Sequence, residues 1–88
     1  MKIKKNEAIM YLILKYIEQE EDPEFRKIDV EKKDFHAALE KINEAGLATN
    51  ITFSRGSLLH RIKVAFTNGS RLTQAGRYFI TDFESRVD

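Results

Sequence analysis

At Gly46 the spacing of apolar residues along this chain changes from helical to strand-like. Upstream, Phe35, Ala38, Leu39 and Ile42 recur at three and four residues and form one stripe of a helix predicted over 31–45. Downstream, Leu47, Thr49, Ile51 and Phe53 alternate, as do Ile62, Val64 and Phe66. A single segment cannot present one buried face at both periods, so the chain must leave the helix at the glycine. Gly46 suits the left-handed C-cap, with Leu47 packing back behind it. The two alternating runs flank Ser54-Arg55-Gly56-Ser57 and predict a hairpin with one buried face, set by Ile51, Phe53, Ile62, Val64 and Phe66. Its other face carries Leu59, Arg61, Lys63 and Ala65.

The rest of the chain reads around this switch. Residues 6–20 predict a first helix with Ile9, Leu12, Ile13, Tyr16 and Ile17 on one face, Asn6 as N-cap and Glu7 at the anion-favouring end. Met10, Tyr11 and Leu14 widen that stripe, for which two accounts stand: the helix lies between two other elements, or these residues form a dimer or partner contact. The acidic break EEDPEFRK holds the only proline, and Phe25 is expected to plug the core from a loop or short helical turn. Ile28-Asp29-Val30 suits one short strand, and Asp29 and Glu31 compete to cap the second helix. Asn68-Gly69 is a turn signal. Thr73 then suits the N-cap of a last helix, with Ala75, Phe79 and Phe83 at four-residue intervals. Gly76 in its first turn predicts a close neighbour. At 88 residues, with no repeat or linker, the chain is expected to be a single domain over 1–88.

The order of helix, short turn, helix, hairpin and helix resembles a winged helix. "DFHAALEKINEAGLA" at 34–48 is similar to the winged-helix pattern of an aromatic, Ala-Leu, an apolar residue and Gly-Leu leading into the first wing strand. "RLTQAGRYFI" at 71–80 resembles the Leu-Thr-x-x-Gly start of the helix after the wing. Over about residues 8–80 the layout is similar to the small YjcQ-like family of Gram-positive bacteria and their phages, matched at Ile13-Leu14-Lys15 and from Phe35 to Gly46. The resemblance implies an α+β winged helix with a C-terminal helix after the wing hairpin. These motifs specify packing and turns, and the family has no well-defined activity.

Charge gives the functional expectation. The net charge is +1, yet its distribution is uneven. Residues 1–44 hold nine Lys/Arg and eleven Asp/Glu, whereas residues 45–81 hold Arg55, Arg61, Lys63, Arg71 and Arg77 with no acid. Such a segment is the footprint of phosphate binding, and the expected partner is double-stranded DNA. Arg55, Arg61, Lys63 and Arg71 are the expected phosphate contacts, with Gly56 letting the backbone come close. Lys32, Lys33 and His36 on the preceding helix are weaker groove candidates. Glu40 and Glu44 on that helix oppose a phosphate backbone, which turns the expectation toward sequence-tolerant binding by a small transcription-regulatory protein. The alternative is a protein-interaction module, as a homodimer or a binder of a host factor, with no nucleic-acid role.

An enzyme is not expected. His36 and His60 share no metal-ligand or catalytic spacing, and there is no phosphate-cradling Gly-rich loop or nucleophile elbow. No cofactor or metal is expected either. His36 reads as a partly exposed surface residue and His60 as a boundary residue of the hairpin. With no cysteine and no apolar run long enough to span a bilayer, the expectation is a cytoplasmic protein that does not enter the membrane.

Overall fold

A computed structural model of the chain describes residues 5–55, 62–67 and 69–87. The apolar stripe of the first segment produces helix α1, Lys5–Glu18, which buries Ile9, Met10, Ile13, Leu14 and Ile17. Asn6 lies inside this helix rather than capping it. The C-terminal end of α1 closes in a Schellman arrangement: Glu21 N–H donates to Tyr16 O (2.9 Å) and Glu20 N–H to Ile17 O (3.0 Å). Glu20 takes the left-handed conformation there, at φ 59°.

The strand expected at 28–30 is not formed. Phe25–Ile28 is instead a short helix, α2, ended by Asp29 in the left-handed conformation at φ 64°. Phe25 does reach the core from this turn, edge-on to Phe35 with ring centroids 6.3 Å apart. Helix α3, Lys32–Glu44, follows with Glu31 in the N-cap position, making no side-chain capping bond. It buries Phe35, His36, Ala38, Leu39 and Ile42 and ends as the glycine predicts: Gly46 has φ 67°, and Leu47 N–H returns to Ile42 O at 3.0 Å.

Two short strands come next, β1 (Thr52–Arg55) and β2 (Ile62–Phe66). They pair antiparallel with Thr52 opposite Phe66, Phe53 opposite Ala65 and Ser54 opposite Val64. After an irregularity, Arg55 stands opposite Ile62. Ser70 N–H bonds Thr67 O (3.0 Å) across a turn that holds Gly69 at φ 79°. An isolated bridge pairs Ala48 with Leu72. The last helix, α4, spans Gln74–Arg86 and is capped by Thr73, whose hydroxyl accepts from Gly76 N–H at 3.1 Å. Its buried positions are Gly76, Ile80 and Phe83; Ala75 is exposed and Phe79 half-buried, so the stripe is rotated from the one expected.

The α+β winged-helix expectation is therefore corrected to a small, mainly helical domain. Among the described residues, three helices of 13 or 14 residues and one of four stand against strands of four and five. The core is drawn from α1, α3 and α4 with Leu47, Ala48 and Ile51 after Gly46. Ile13, Leu14, Leu39 and Ile42 are the largest fully buried side chains among the described residues. A strand pair this short is marginal by itself and builds no sheet layer, so the helices carry the fold. Within the pair, Phe53 is partly buried against the core edge. The inner-face roles expected of Ile62, Val64 and Phe66, the outer-face roles of Leu59, Arg61, Lys63 and Ala65, and the role of His60 lie outside the described side chains and residues.

Candidate nucleic-acid interface

Among the described residues, the basic positions of the acid-free segment fall in β1, in β2, in the link before α4 and in α4. Arg55 ends β1 and Lys63 lies in β2, one residue beyond the partner of Arg55 in the register. Gly56 and Arg61 lie outside the described residues. Arg71 follows the strand pair, and Arg77 stands exposed in the first turns of α4.

The chain is clamped around Arg71 by bonds between 46–50 and 69–73. Thr49 N–H donates to Arg71 O (2.9 Å), Asn50 Nδ2 to Gly69 O (3.1 Å) and Ser70 Oγ to Asn50 O (3.2 Å). Thr73 adds its N–H to Leu47 O (3.1 Å) and its hydroxyl to Gly46 O. Asn50 sits at φ 58°, a conformation that asparagine tolerates better than most side chains. These bonds fix the backbone of Arg71 and leave its side chain in solvent.

That side chain is occupied. Arg71 Nη1 donates to Glu20 Oε1 at 3.1 Å, with both side chains about three-quarters exposed. Glu20, Glu21 and Asp22 line one open cleft with Thr67, Gly69, Ser70 and Arg71. A neighbouring cleft places Arg71, Leu72 and Arg77 beside Glu18, Gln19 and Glu20. Arg71 and Arg77 therefore lie beside an acidic wall. Arg77 is the basic residue that sequence reasoning counted but did not assign, and Glu20 is the neighbour it missed. The meeting of Glu20 with Arg71 depends on a contact 51 residues apart, which no local pattern reports.

The α3 candidates divide. Lys32 and Lys33 are exposed in the first turn, and Lys33 Nζ lies 3.6 Å from Glu31 Oε2 across an open surface. His36 is not a surface residue: it is 9% exposed and beside Phe35, at a ring separation of 6.1 Å. It is withdrawn from any groove, because its position on α3 falls at the flank of the buried stripe. The outward face keeps Lys33, Ala37, Lys41 and Glu44, which is mixed in charge.

The α1 candidates for a partner contact are corrected as well. Leu14 is 0% and Met10 7% exposed, both within the protein's own core. Tyr11 is half-buried, stacked on Phe83 at 4.4 Å, and its hydroxyl donates to Glu84 Oε2 at 2.7 Å. The hydrogen bond to Glu84 is the main cause that raises the tyrosine pKa above its ordinary value; partial burial and the Glu84 charge add to it. Lys15 is raised too, chiefly by its hydrogen bond to Glu18 at 2.8 Å. The widened stripe serves packing between α3 and α4, the first of the two accounts above.

The chain matches no family model, no curated protein and no solved structure. No helix among the described residues is long and apolar enough to cross a membrane. Nor do those residues hold a cluster of three or more His, Asp or Glu placed to bind a metal.

Proposed function

We propose that this protein is a small cytoplasmic DNA-binding protein with a regulatory role, acting by binding rather than by catalysis. The observation that supports this reading is the acid-free segment 45–81 with its five basic residues. Its described strands lie side by side, β1 paired with β2, and a bridge joins Ala48 before that pair to Leu72 after it. Arg55, Arg61 and Lys63 make the phosphate contacts, and Arg77 supplies a further cation near the α4 start. The mixed outward face of α3 does not read bases, so affinity is electrostatic and tolerant of sequence. The absence of cysteine supports a reducing compartment.

Three to five phosphate contacts give a slope of log affinity against log salt of roughly −3 to −5 for duplex DNA, a loss of about 60- to 1,000-fold between about 50 and 200 mM salt. Fluorescence anisotropy with a random-sequence duplex measures this for the wild type and for Arg55→Ala/Arg61→Ala/Lys63→Ala. Binding that weakens steeply with salt and is lost in the triple variant supports the reading. A wild type that fails to bind at low salt, or a triple variant that binds equally well, refutes it.

A further inference from the structure

We infer that Glu20 is a built-in competitor for phosphate, holding Arg71 out of the binding surface until its carboxylate is displaced or neutralised. The inference rests on the proposed DNA-binding reading only in the identity of the polyanion. Three observations converge on it. Arg71 makes a charge-assisted hydrogen bond to Glu20 at 3.1 Å, in the position a phosphate oxygen would take. The hydrogen bonds donated by Thr49 N–H, Asn50 Nδ2 and Ser70 Oγ hold the 69–71 segment in place. The competing carboxylate is thus presented to a fixed partner rather than to a wandering loop. Glu20 itself occupies the left-handed C′ position of α1, at φ 59°, where glycine is the favoured residue and a side chain carries a conformational cost. The helix end by itself gives no reason for a glutamate there; the contact with Arg71 does.

The pair is exposed, with side chains 75% and 76% accessible, so the latch is weak and reversible. It reduces the contribution of Arg71 without abolishing binding elsewhere. Glu21 and Asp22 line the same cleft and add diffuse repulsion. They make no ion pair with Arg71, which allows the specific contact to be separated from general charge.

The experiment compares wild type, Glu20→Gln, Glu21→Gln, Arg71→Ala and Glu20→Gln/Arg71→Ala in two assays, salt elution from immobilised heparin and anisotropy with a random duplex. Glu20→Gln is expected to elute at higher salt than wild type and to bind duplex about 1.5- to 5-fold more tightly at low salt. Arg71→Ala changes wild-type affinity by less than about twofold, yet removes the whole gain of Glu20→Gln. Glu20→Gly, which suits the left-handed backbone, must reproduce Glu20→Gln.

Three results overturn the inference: no gain on heparin from Glu20→Gln, an equal gain from Glu21→Gln, or an equal loss from Arg71→Ala in both backgrounds. The heparin order holding while no variant binds duplex upholds the latch and refutes the DNA reading. Wild type binding duplex while Glu20→Gln changes neither assay does the reverse.

Discussion

Replacing Gly76 by alanine tests a close approach between α4 and the chain after α3. A Cβ built at this position falls well inside contact distance of the Leu47 carbonyl oxygen, 3.1 Å from the Leu47 carbonyl carbon and 3.3 Å from Leu72 Cδ2. The first two atoms are backbone, held by Thr73 N–H on Leu47 O and by the Leu47 N–H bond to Ile42 O, so neither can turn aside. The start of α4 must back away by roughly 1 Å to restore ordinary contact distances. That motion breaks the Thr73–Leu47 bond and loosens Leu47 and Ile80. Overpacking of this kind costs about 1–3 kcal/mol, and a lost hydrogen bond adds roughly 1 kcal/mol. Helix propensity returns about 1 kcal/mol, since alanine replaces glycine inside a helix. The net expectation is a loss of about 2 kcal/mol, or a melting temperature lower by roughly 8–16 °C for a domain of this size. Thermal and urea unfolding followed by circular dichroism at 222 nm measure it. Ala75→Gly at the exposed neighbouring position is the control, expected to cost only about 1 kcal/mol from propensity. If Gly76→Ala proves as stable as wild type or more so, propensity alone governs the site and the close approach is wrong.

Leu14→Ala should lose about 2–5 kcal/mol, because the side chain is fully buried; unfolding rather than dissociation of a dimer should accompany Leu14→Glu, as sedimentation and circular dichroism together will show. Thr73→Ala should cost about 1 kcal/mol for the lost cap, and somewhat more if the contact of the hydroxyl with Gly46 O matters, by the same unfolding assays. The raised pKa of Tyr11 means the folded protein holds that proton more tightly than the unfolded chain. Its stabilisation is therefore complete below the ordinary tyrosine value and lost as pH rises through the folded value. Absorbance titration at 295 nm should show one tyrosine ionising late, and Tyr11→Phe should remove that component while flattening the alkaline decline in stability.

What the sequence revealed of this fold follows from how local each signal is. The run from Phe35 to Gly46 carries its stripe, its stop and its packing partner within a dozen residues, so α3 and its glycine cap were legible. Thr73 and the crowding at Gly76 were legible for the same reason. Ile28-Asp29-Val30 was not: an apolar pair around one polar residue fits either period, and the left-handed Asp29 closes a helical turn there. The stripe of α4 was mistaken in phase. Steps of four residues from Ala75 drift around a helix that turns every 3.6, whereas Gly76, Ile80 and Phe83 share a narrower arc. The winged-helix expectation failed because motif order does not report how little of the chain the strands would claim. In the candidate site, the basic residues could be counted from sequence, but the Glu20 contact that qualifies Arg71 could not.

Helices α1 and α4 are joined by Tyr11 on Phe83, by the Tyr11–Glu84 hydrogen bond, and by Arg86, whose Nη2 lies 3.0 Å from Glu7 Oε2. The hydrogen bond from Tyr11 spans 73 residues. A nascent chain that has emerged only as far as β2 thus holds α1 with one of its two apolar flanks still wet. The cost of closing so long a loop falls on the step in which α4 docks. Until then Tyr11 and its neighbours lack the surface of α4 that covers them in the folded protein, and transiently exposed apolar groups of this kind favour aggregation.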